Sequence, residues 1–353
     1  MRVMQLTTDF RLGGAERVVV GLMRELRERG VECAAAGLFE GGRAIGRARR
    51  VLQSEGFPVH CAGLERKWRL WRLAGLRRFV QNWEPDVLHC HLFHGNATGA
   101  LLRLAGLRRP MLWTHHNVEA RPVPLRRAFY RLAWGMPDCH VSVSEAARRY
   151  HLALAGPGRR SEVIHDGIDL RPFLAVRPEP GTVFGALGRL SPGKGMDVLV
   201  RAFARVRGDC PAARLRIGGR GPDDWLREII RSEGVEEAVA LEGFITDVPR
   251  FLSEINVFVN PSLSEGFGLT LLEALAAGLP CVASRVGALP EVGGEFVRWA
   301  EPGDGGSLSE QMAAALSETG GAEEVAGRRR RARRFSRDRM ADDYLRLYGS
   351  LLA

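Results

Sequence analysis

Short apolar runs alternate with longer amphipathic stretches along the chain, and this alternation limits the possible fold more than any other feature. Amphipathic stretches such as AERVVVGLMRELRERG, which ends at Gly30, place apolar residues three and four positions apart and so predict helices. The short runs predict strands, and those of the first half lie at 2–8, 31–38, 58–63, 86–92, 111–117 and 139–144. Because strands and helices alternate, we expect βα units arranged in parallel sheets.

The alternation restarts after a segment rich in proline and glycine. The strands predicted in the second half lie at 182–190, 213–219, 238–244, 255–262, 280–284 and 295–300. A chain of 353 residues is long enough for two domains of ordinary size. We therefore predict an α/β protein with two doubly wound, Rossmann-like domains that face each other across a cleft. Ligands are expected beyond the carboxyl ends of the strands.

The composition argues against several classes of protein. The six cysteines stand singly in apolar runs without C-x-x-C spacing, which indicates buried thiols in a reducing, cytoplasmic compartment. The opening MRVMQLTTDF reads as a first strand rather than a secretion signal, and no apolar stretch approaches the roughly 18–20 residues that span a bilayer. The net charge of +10 is spread along the chain without a zinc-finger or RNP-type pattern, so we expect no nucleic-acid partner.

The stretch GALGRLSPGKG, at 185–195, matches most of the Walker A pattern of phosphate-binding loops. Gly188, Gly193 and Lys194 fit G-x-x-x-x-G-K, but Gly195 stands where a serine or threonine would hold magnesium. These residues alone leave a P-loop ATPase as one alternative.

A second phosphate-binding candidate is NPSLSEGFGLTLLEALAAGLP, at 260–280. A strand ends there, a polar turn follows, and a helix begins near Leu269, so free backbone N–H groups and the helix dipole could hold a diphosphate. Glu273 lies among leucines and alanines, and a buried carboxylate in such a setting needs a partner such as a ribose hydroxyl. The alternative is that Glu273 lies on a narrow exposed strip.

Glu265 and Glu273 are separated as Glu-x7-Glu, with Gly-Phe-Gly after the first glutamate. With GRLSPGKG, this segment resembles the family 4 retaining glycosyltransferases of the GT-B fold, of the type that builds bacterial glycans and lipid-linked sugars such as lipopolysaccharide. Five weaker segments follow in the family's order: RLGGAERVV, THHN, VSVSEAAR, VIHDGID and RIGGRGP. One departure is Asp166, where the family commonly has asparagine.

The resemblance implies roles for particular residues. Arg189 and Lys194 would neutralise the departing diphosphate, Glu265 would bind donor-sugar hydroxyls, and His116 would contact the donor sugar, although His115 beside it leaves the register open. The other expected donor-binding residues are Gly13, Gly14, Gly219, Gly221, Gly266, Phe267, Gly268, Leu269 and Glu273.

The resemblance also implies the organisation of the chain and its reaction. Residues 1–170 would bind the acceptor, 171–181 would be a linker, 182–335 would bind the nucleotide sugar, and a terminal helix at 336–353 would cross back to the first domain. The reaction would move a hexose or N-acetylhexosamine from a UDP- or GDP-linked donor to a glycan or lipid-linked acceptor, with retention and without a metal or cofactor. Alternatives are a nucleotide-sugar epimerase of the same fold, the P-loop ATPase and a catalytically silent sugar-binding protein.

Two further features have open interpretations. His89 and His91 in HCHLFH point to one face of a predicted strand, which suits a metal site with His115 and His116 or, alternatively, substrate contacts from His91 or His94. The stretches at 65–79 and 121–134 combine arginines with tryptophan and leucine. They predict peripheral attachment to an anionic membrane surface, the inner face of the cytoplasmic membrane, or else solvated helices packed on the sheet.

Overall fold

The structure, a computed structural model, describes residues 1–10, 13–39, 47–64, 72–118, 123–156, 160–178, 181–317 and 321–353. These residues form two compact units. The first contains the described residues of 1–117 and 123–168 together with Arg337–Ala353, and the second contains Val118 and the described residues of 169–336. Each unit has its own parallel sheet, which confirms the predicted fold class.

The first unit is centred on a seven-stranded sheet. Its strands are β1 (Arg2–Asp9), β2 (Glu32–Phe39), β3 (Val59–Cys61), β4 (Val87–His91), β5 (Met111–His115), β6 (Cys139–Ser142) and β7 (Ser161–Val163). They pair in parallel in the order β3-β2-β1-β4-β5-β6-β7. The order reverses direction between the neighbours β1 and β4, and such a switch point leaves a crevice at the carboxyl ends of the two strands.

Helices connect these strands and cover the sheet. They are α1 (Gly14–Glu28), α2 (Arg47–Ser54), α3 (Leu73–Trp83), α4 (Leu92–Leu104), α5 (Pro124–Ala133) and α6 (Glu145–Ala155). On α1, side chains four positions apart, Val18, Leu22 and Leu26, are all buried, as its amphipathic sequence predicts. Ser144 caps α6, because its hydroxyl accepts a hydrogen bond from the Ala147 N–H at 3.0 Å.

The second unit is centred on a six-stranded sheet. Its strands are β8 (Val183–Leu187), β9 (Arg214–Gly218), β10 (Val239–Gly243), β11 (Val257–Asn260), β12 (Cys281–Ser284) and β13 (Arg298–Ala300). They pair in parallel in the order β10-β9-β8-β11-β12-β13, so the switch point lies between β8 and β11. The helices are α7 (Arg171–Leu174), α8 (Met196–Asp209), α9 (Asp224–Ser232), α10 (Val248–Ser253), α11 (Leu269–Ala277), α12 (Leu289–Gly293), α13 (Gly305–Leu316) and α14 (Ala322–Arg333).

The last helix, α15 (Arg337–Leu352), belongs to the first unit. Its Tyr344 and Tyr348 are buried, and Tyr348 hydrogen-bonds His89 of β4 through the phenol oxygen, 2.7 Å from His89 Nδ1. At the start of the helix, Arg337 Nε donates to Glu25 Oε1 of α1 at 2.7 Å. The contacts at both ends of α15 therefore fix it against β4 and α1.

The twelve strands predicted from the sequence are all present, and one further strand, β7, was missed. It spans three half-buried residues, Ser161–Val163, too short to show an alternating pattern, and it is formed through pairing with β6. Within the predicted linker at 171–181, α7 forms a single turn of helix whose Phe173 is buried.

Candidate active site

In the second unit, the loops that follow β8 and β11 come together and pair Lys194 with Glu265. The Lys194 ammonium donates to Glu265 Oε2 at 2.6 Å, and the Ser262 hydroxyl donates to the same oxygen at 3.0 Å. The Leu263 N–H donates to the Gly193 carbonyl at 3.0 Å and joins the two loops through the backbone. The Glu265 side chain is only 15% exposed, so the ion pair with this lysine offsets part of the cost of burying a carboxylate.

Arg189 lies on the same loop as Lys194, and its side chain is exposed. Among the residues that the structure describes, no carboxylate forms an ion pair with Arg189. A guanidinium without such a partner can bind an incoming anion without first breaking a contact within the protein.

Gly219 and Gly221 approach the loop after β8 more closely than any side chain would allow. A Cβ atom on Gly219 would lie 1.8 Å from the Gly188 carbonyl oxygen, and one on Gly221 would lie 2.4 Å from the Leu190 carbonyl oxygen. The Leu190 N–H also donates to the Arg220 carbonyl at 2.8 Å. These glycines therefore hold the loops after β8 and β9 together, whatever ligand they meet.

The turn before α11 is the segment that the sequence predicts to hold a diphosphate. Gly268 precedes the helix with φ +102°, a left-handed conformation that favours glycine. The Leu272 N–H donates to the Gly268 carbonyl, so the N–H groups before Leu272 precede the regular hydrogen bonds of the helix. Phe267 is buried and packs edge to face on Phe335 at 5.6 Å.

Glu273 is buried inside α11, with 1% of its surface exposed. This excludes the alternative in which the residue lies on an exposed strip of the helix. Burying a polar group without a hydrogen-bond partner costs roughly 2–7 kcal/mol, and burying an ionised carboxylate costs more.

In the first unit, His116 follows β5 and lies beside the buried Asp166. His116 Nδ1 is 3.4 Å from Asp166 Oδ2, and His116 Nε2 is 3.1 Å from His91 Nδ1. His91 Nε2 lies 2.7 Å from Gln5 Oε1 of β1. A chain of polar side chains therefore connects β1 and β4 with the loop after β7.

His115, next to His116, points into a different cluster. Its ring stacks on Trp134 and lies 3.1 Å, Nε2 to Nδ1, from His140, whose Nε2 donates to the Trp134 carbonyl at 2.8 Å. Burial lowers the pKa of His115 well below its ordinary value, with the neighbouring His151 and His140 adding to the effect. The structure thus separates the two adjacent histidines, and His116 is the one near Asp166.

The loop after β1 carries Gly13, Gly14 and, at the start of α1, Glu16. A Cβ on Gly13 would lie 2.5 Å from Glu16 Oε2, so a side chain at Gly13 would displace that carboxyl group. Burial raises the pKa of Glu16, and the Asp9 carboxylate adds to the rise, whereas backbone N–H groups and His116 oppose it. The Glu16 carboxyl group therefore lies close enough to His116 to interact with it electrostatically.

His89 and His91 do lie on one face of β4, with ring centroids 3.9 Å apart. His89 Nε2 is 2.6 Å from the Thr114 hydroxyl, and its Nδ1 faces Tyr348, so both ring nitrogens have protein partners. In the described part of the chain, no group of three or more His, Cys, Asp or Glu side chains is arranged to hold a metal ion. The two histidines are instead part of a buried hydrogen-bonded network.

Sequence reasoning did not single out several residues of these clusters. They are Gln5, Glu16, Ser262 and Gly287. Gly287, with φ +55°, would place a Cβ 2.1 Å from the Glu265 carbonyl oxygen, which accepts a hydrogen bond from the Ala288 N–H. The available signal was a glycine three residues after the end of β12, since the loops after neighbouring parallel strands meet at one edge of the sheet.

Only parts of the two stretches that were predicted to contact a membrane lie within the described residues. Residues 65–71 and 119–122 lie outside the described residues, which include α3 and α5. On α5, Leu125 and Leu132 are 75% and 86% exposed and lie seven positions apart on one face of the helix. Arg127 and Arg131 are also exposed, on other faces of the helix. Within the described ranges, no helix combines the length and the apolar character that crossing a bilayer requires.

Two family models match the chain. "Glycosyltransferase Family 4" matches residues 12–171, and "Glycosyl transferases group 1" matches residues 181–318. Glycogen synthase of Mycobacterium tuberculosis is 31% identical over 75% of this chain and 66% of its own length. A GDP-mannose-dependent alpha-(1-6)-phosphatidylinositol monomannoside mannosyltransferase of that organism is 32% identical over 54% of this chain and 55% of its own. The chain spans about half to two thirds of the length of these curated relatives.

Solved structures match the chain over nearly its full length. HepE of Anabaena, in complex with UDP and glucose, has a TM-score of 0.86 and 20% identity, covering 99% of this chain and 100% of HepE. Sucrose-phosphate synthase of Thermosynechococcus elongatus has a TM-score of 0.82 and 18% identity, covering 99% of each chain. These likenesses show that the fold is GT-B, as predicted.

Proposed function

Because the chain belongs to the family 4 glycosyltransferases, we propose that it transfers a hexose or N-acetylhexosamine from a UDP- or GDP-linked donor to a glycan or lipid-linked acceptor. The observation that carries the proposal is the pairing of Lys194 with Glu265 beside the amino end of α11. An ammonium, a carboxylate and backbone N–H groups meet there. This combination suits a sugar joined to a diphosphate, because the cation and the N–H groups bind phosphate oxygens and the carboxylate accepts from sugar hydroxyls.

In this proposal, the charged residues of the second unit stabilise the leaving nucleotide. Breaking the bond between the sugar and the β-phosphate builds negative charge on the phosphate oxygens. Arg189 and Lys194, with the N–H groups of Gly266–Leu269, stabilise that charge where it develops. Two cations and a helix terminus can do this without a metal ion.

The other donor contacts follow from where the side chains lie. Glu265 accepts hydrogen bonds from the sugar hydroxyls, and the buried Glu273 of α11 accepts from the ribose. His116 contacts the donor sugar from the first unit. Gly13 and Gly14, on the loop after β1, are further proposed donor contacts.

We propose that transfer proceeds with retention. The acceptor oxygen attacks the anomeric carbon from the face that the nucleotide leaves, the bond to the phosphate oxygen breaks, and a phosphate oxygen takes the acceptor proton. No nucleophilic side chain is required, which agrees with a site built from cations and hydroxyl-binding carboxylates. The epimerase alternative is not favoured, since the relatives named above are a synthase and a mannosyltransferase.

Nucleotide binding provides the direct test. We expect UDP or GDP, without metal, to raise the free energy of unfolding by about 2.7 kcal/mol at a concentration a hundred times its Kd. Glu273→Gln, which keeps the shape of the side chain, should lose most of this stabilisation, because a carboxylate accepts ribose hydroxyls on two charged oxygens whereas an amide has one neutral accepting oxygen. Thermal unfolding with UDP, GDP, ADP and Mg-ATP measures both effects.

The control for this test is Glu310→Gln, at an exposed position on α13. It should respond to each nucleotide as the unmodified protein does. Stabilisation by Mg-ATP alone would instead support the P-loop ATPase and contradict the transferase.

We further propose that α4 and α5 attach the enzyme to an anionic membrane at its cytoplasmic face, where a lipid-linked acceptor would be presented. The two helices are in contact, with Phe93 and Phe129 edge to face at 5.3 Å, and Leu101, Leu104, Leu125 and Leu132 are exposed. Arg127 and Arg131 are exposed on other faces of α5. A helix with exposed leucines on one face and arginines on another fits an acyl boundary below anionic headgroups.

Vesicle sedimentation tests the attachment. The double variant Leu125→Ser/Leu132→Ser should bind vesicles containing phosphatidylglycerol at least about tenfold more weakly, since fully burying a single leucine contributes roughly 1.5–3 kcal/mol. Leu352→Ser, at an exposed leucine of α15, is the matched control and should bind normally. Equal binding by both variants would rule out this surface.

A further inference from the structure

The end of α14 is rich in arginine, with the sequence GRRRRARR at 327–334. Two of these arginines have clear structural partners. Arg328 pairs with Glu324 at 3.5 Å, and Arg331 Nε donates to the Val292 carbonyl at 2.9 Å. The other arginines of this segment form no ion pair with a carboxylate of the described residues. Their charges are therefore open to an anion from outside the chain.

One of them, Arg329, meets a second arginine at a single carbonyl oxygen. Arg329 Nη2 donates to the Val176 carbonyl at 3.1 Å, and Arg177 Nη1 donates to the same oxygen at 2.8 Å. The two guanidinium nitrogens are thus no farther apart than these two distances together. Arg177 is exposed, and within the described part of the chain it too has no carboxylate partner. Two positive charges therefore converge on an uncharged acceptor.

Arg333 brings a third positive charge to the same place. It lies four positions after Arg329, so the two side chains share one face of α14. Burial lowers the pKa of Arg329, and the charges of Arg177 and Arg333 lower it further. Like charges held close together in a protein repel each other, and a bound anion removes this cost.

The shape of the cations indicates which anion they would bind. A guanidinium group directs its N–H donors in a planar fork that matches two oxygens of a phosphate. A phosphate group has further oxygens and up to two negative charges, so it can contact more than one such fork. We propose that Arg177, Arg329 and Arg333 form an anion-binding site, called here the arginine site, that takes a phosphate group.

The arginine site lies at the opposite end of α11 from the proposed diphosphate cradle. Arg329 Nη2 also donates, at 3.3 Å, to the carbonyl of Ala277, the last residue of α11. The cradle lies before Leu269, and nine helical residues, roughly 13 Å at 1.5 Å per residue, separate the two ends. One phosphate group cannot reach both. The arginine site is therefore a second site, and it does not depend on the proposed function.

Calorimetric titration of the full-length protein with inorganic phosphate, at constant ionic strength, tests the site. It is performed on Lys194→Met, which lacks a cation of the proposed donor site, so that binding there contributes less. This variant should still bind phosphate. Adding Arg177→Gln and Arg333→Gln should weaken the binding at least about tenfold, because each lost guanidinium removes charge-assisted hydrogen bonds.

The matched control is the pair Arg330→Gln and Arg334→Gln in the same background. It removes the same charge from the same segment, but on another face of the helix. Phosphate binding should be unchanged in this control. The Arg333 side chain makes no hydrogen bond with a described residue, so Arg333→Gln alone should weaken phosphate binding without lowering the unfolding temperature of the phosphate-free protein.

A phosphate group is also part of a lipid headgroup, so a second arm uses vesicles. Sedimentation compares phosphatidylglycerol vesicles with vesicles of phosphatidylcholine alone. If the ligand is a headgroup, Arg177→Gln/Arg333→Gln should bind the anionic vesicles at least about tenfold more weakly than the control pair does. The inference is wrong if both pairs weaken binding equally, or if neither phosphate nor anionic vesicles distinguish them. The response to UDP or GDP should be the same in both pairs, so either proposal can fail without the other.

Discussion

Replacing Lys194 with methionine is expected to lower kcat for release of UDP or GDP from UDP-glucose or GDP-mannose by about 100-fold or more. Lys194 places its ammonium 2.6 Å from Glu265, at the site proposed for the departing diphosphate. Methionine keeps most of the side-chain volume and removes the charge. The loss should therefore appear in kcat more than in KM, because the charge on the phosphate is greatest as the bond breaks.

The substitution Lys194→Arg tests whether the shape of the cation matters as well as its charge. The chain has two lysines among its 51 basic residues, Lys67 and Lys194, so lysine at this position departs from the usage of the whole chain. An ammonium is a compact charge, whereas the planar guanidinium is wider and directs its donors in a fork. We expect Lys194→Arg to recover only part of the turnover, on the order of tenfold below the unmodified enzyme.

The control for both substitutions is Arg201→Met on α8, whose contacts with Asp197 and Glu233 are exposed. Exposed pairs of this kind contribute about 0–1 kcal/mol, so turnover and thermal stability should change little. Normal turnover in Lys194→Met would remove Lys194 from the proposed mechanism. Thermal unfolding of Lys194→Met shows whether any loss comes instead from leaving Glu265 without its cation.

The strands could be predicted because each lies within an apolar run between the amphipathic stretches that form helices. This information is local in the sequence, and it correctly located all strands from β1 to β6 and β8 to β13. β7 could not be found in this way, because Ser161–Val163 has two polar residues out of three and is not part of an apolar run, and the strand forms by pairing with β6. The order of strands, with a switch point in each sheet, also depends on pairing between distant segments.

The candidate site likewise has parts that local sequence signals predicted and parts that depend on contacts between distant residues. Glycines and charged residues after apolar runs identified the loops after β8, β9 and β11, because turns and helix termini have local sequence signals. The ion pair between Lys194 and Glu265 joins residues 71 positions apart, and no local pattern shows it. The contact of Asp166 with His116 is of the same kind: the sequence shows an unusual aspartate, but only the fold shows what it faces.

Gly195→Ala is expected to destabilise the protein by about 3 kcal/mol or more. Gly195 has φ +62°, and a Cβ there would lie 2.1 Å from the Pro261 carbonyl oxygen, a backbone atom that cannot turn aside. Both the left-handed conformation and the close approach therefore oppose any side chain. Chemical denaturation measures the loss, and the nucleotide response should weaken with it because Gly195 joins Lys194 to α8.

The neighbouring Gly193→Ala is the matched control within the same loop. No atom lies within 4 Å of its would-be Cβ, so we expect a change of less than about 1 kcal/mol. The comparison also bears on the Walker A alternative, which requires serine or threonine at 195. Those side chains meet the same Pro261 oxygen as alanine does, so the backbone that brings the loop after β8 against β11 is incompatible with a magnesium-binding hydroxyl there. If Gly195→Ser folded with unchanged stability and bound Mg-ATP, the loop would have to be a phosphate-binding loop of that class.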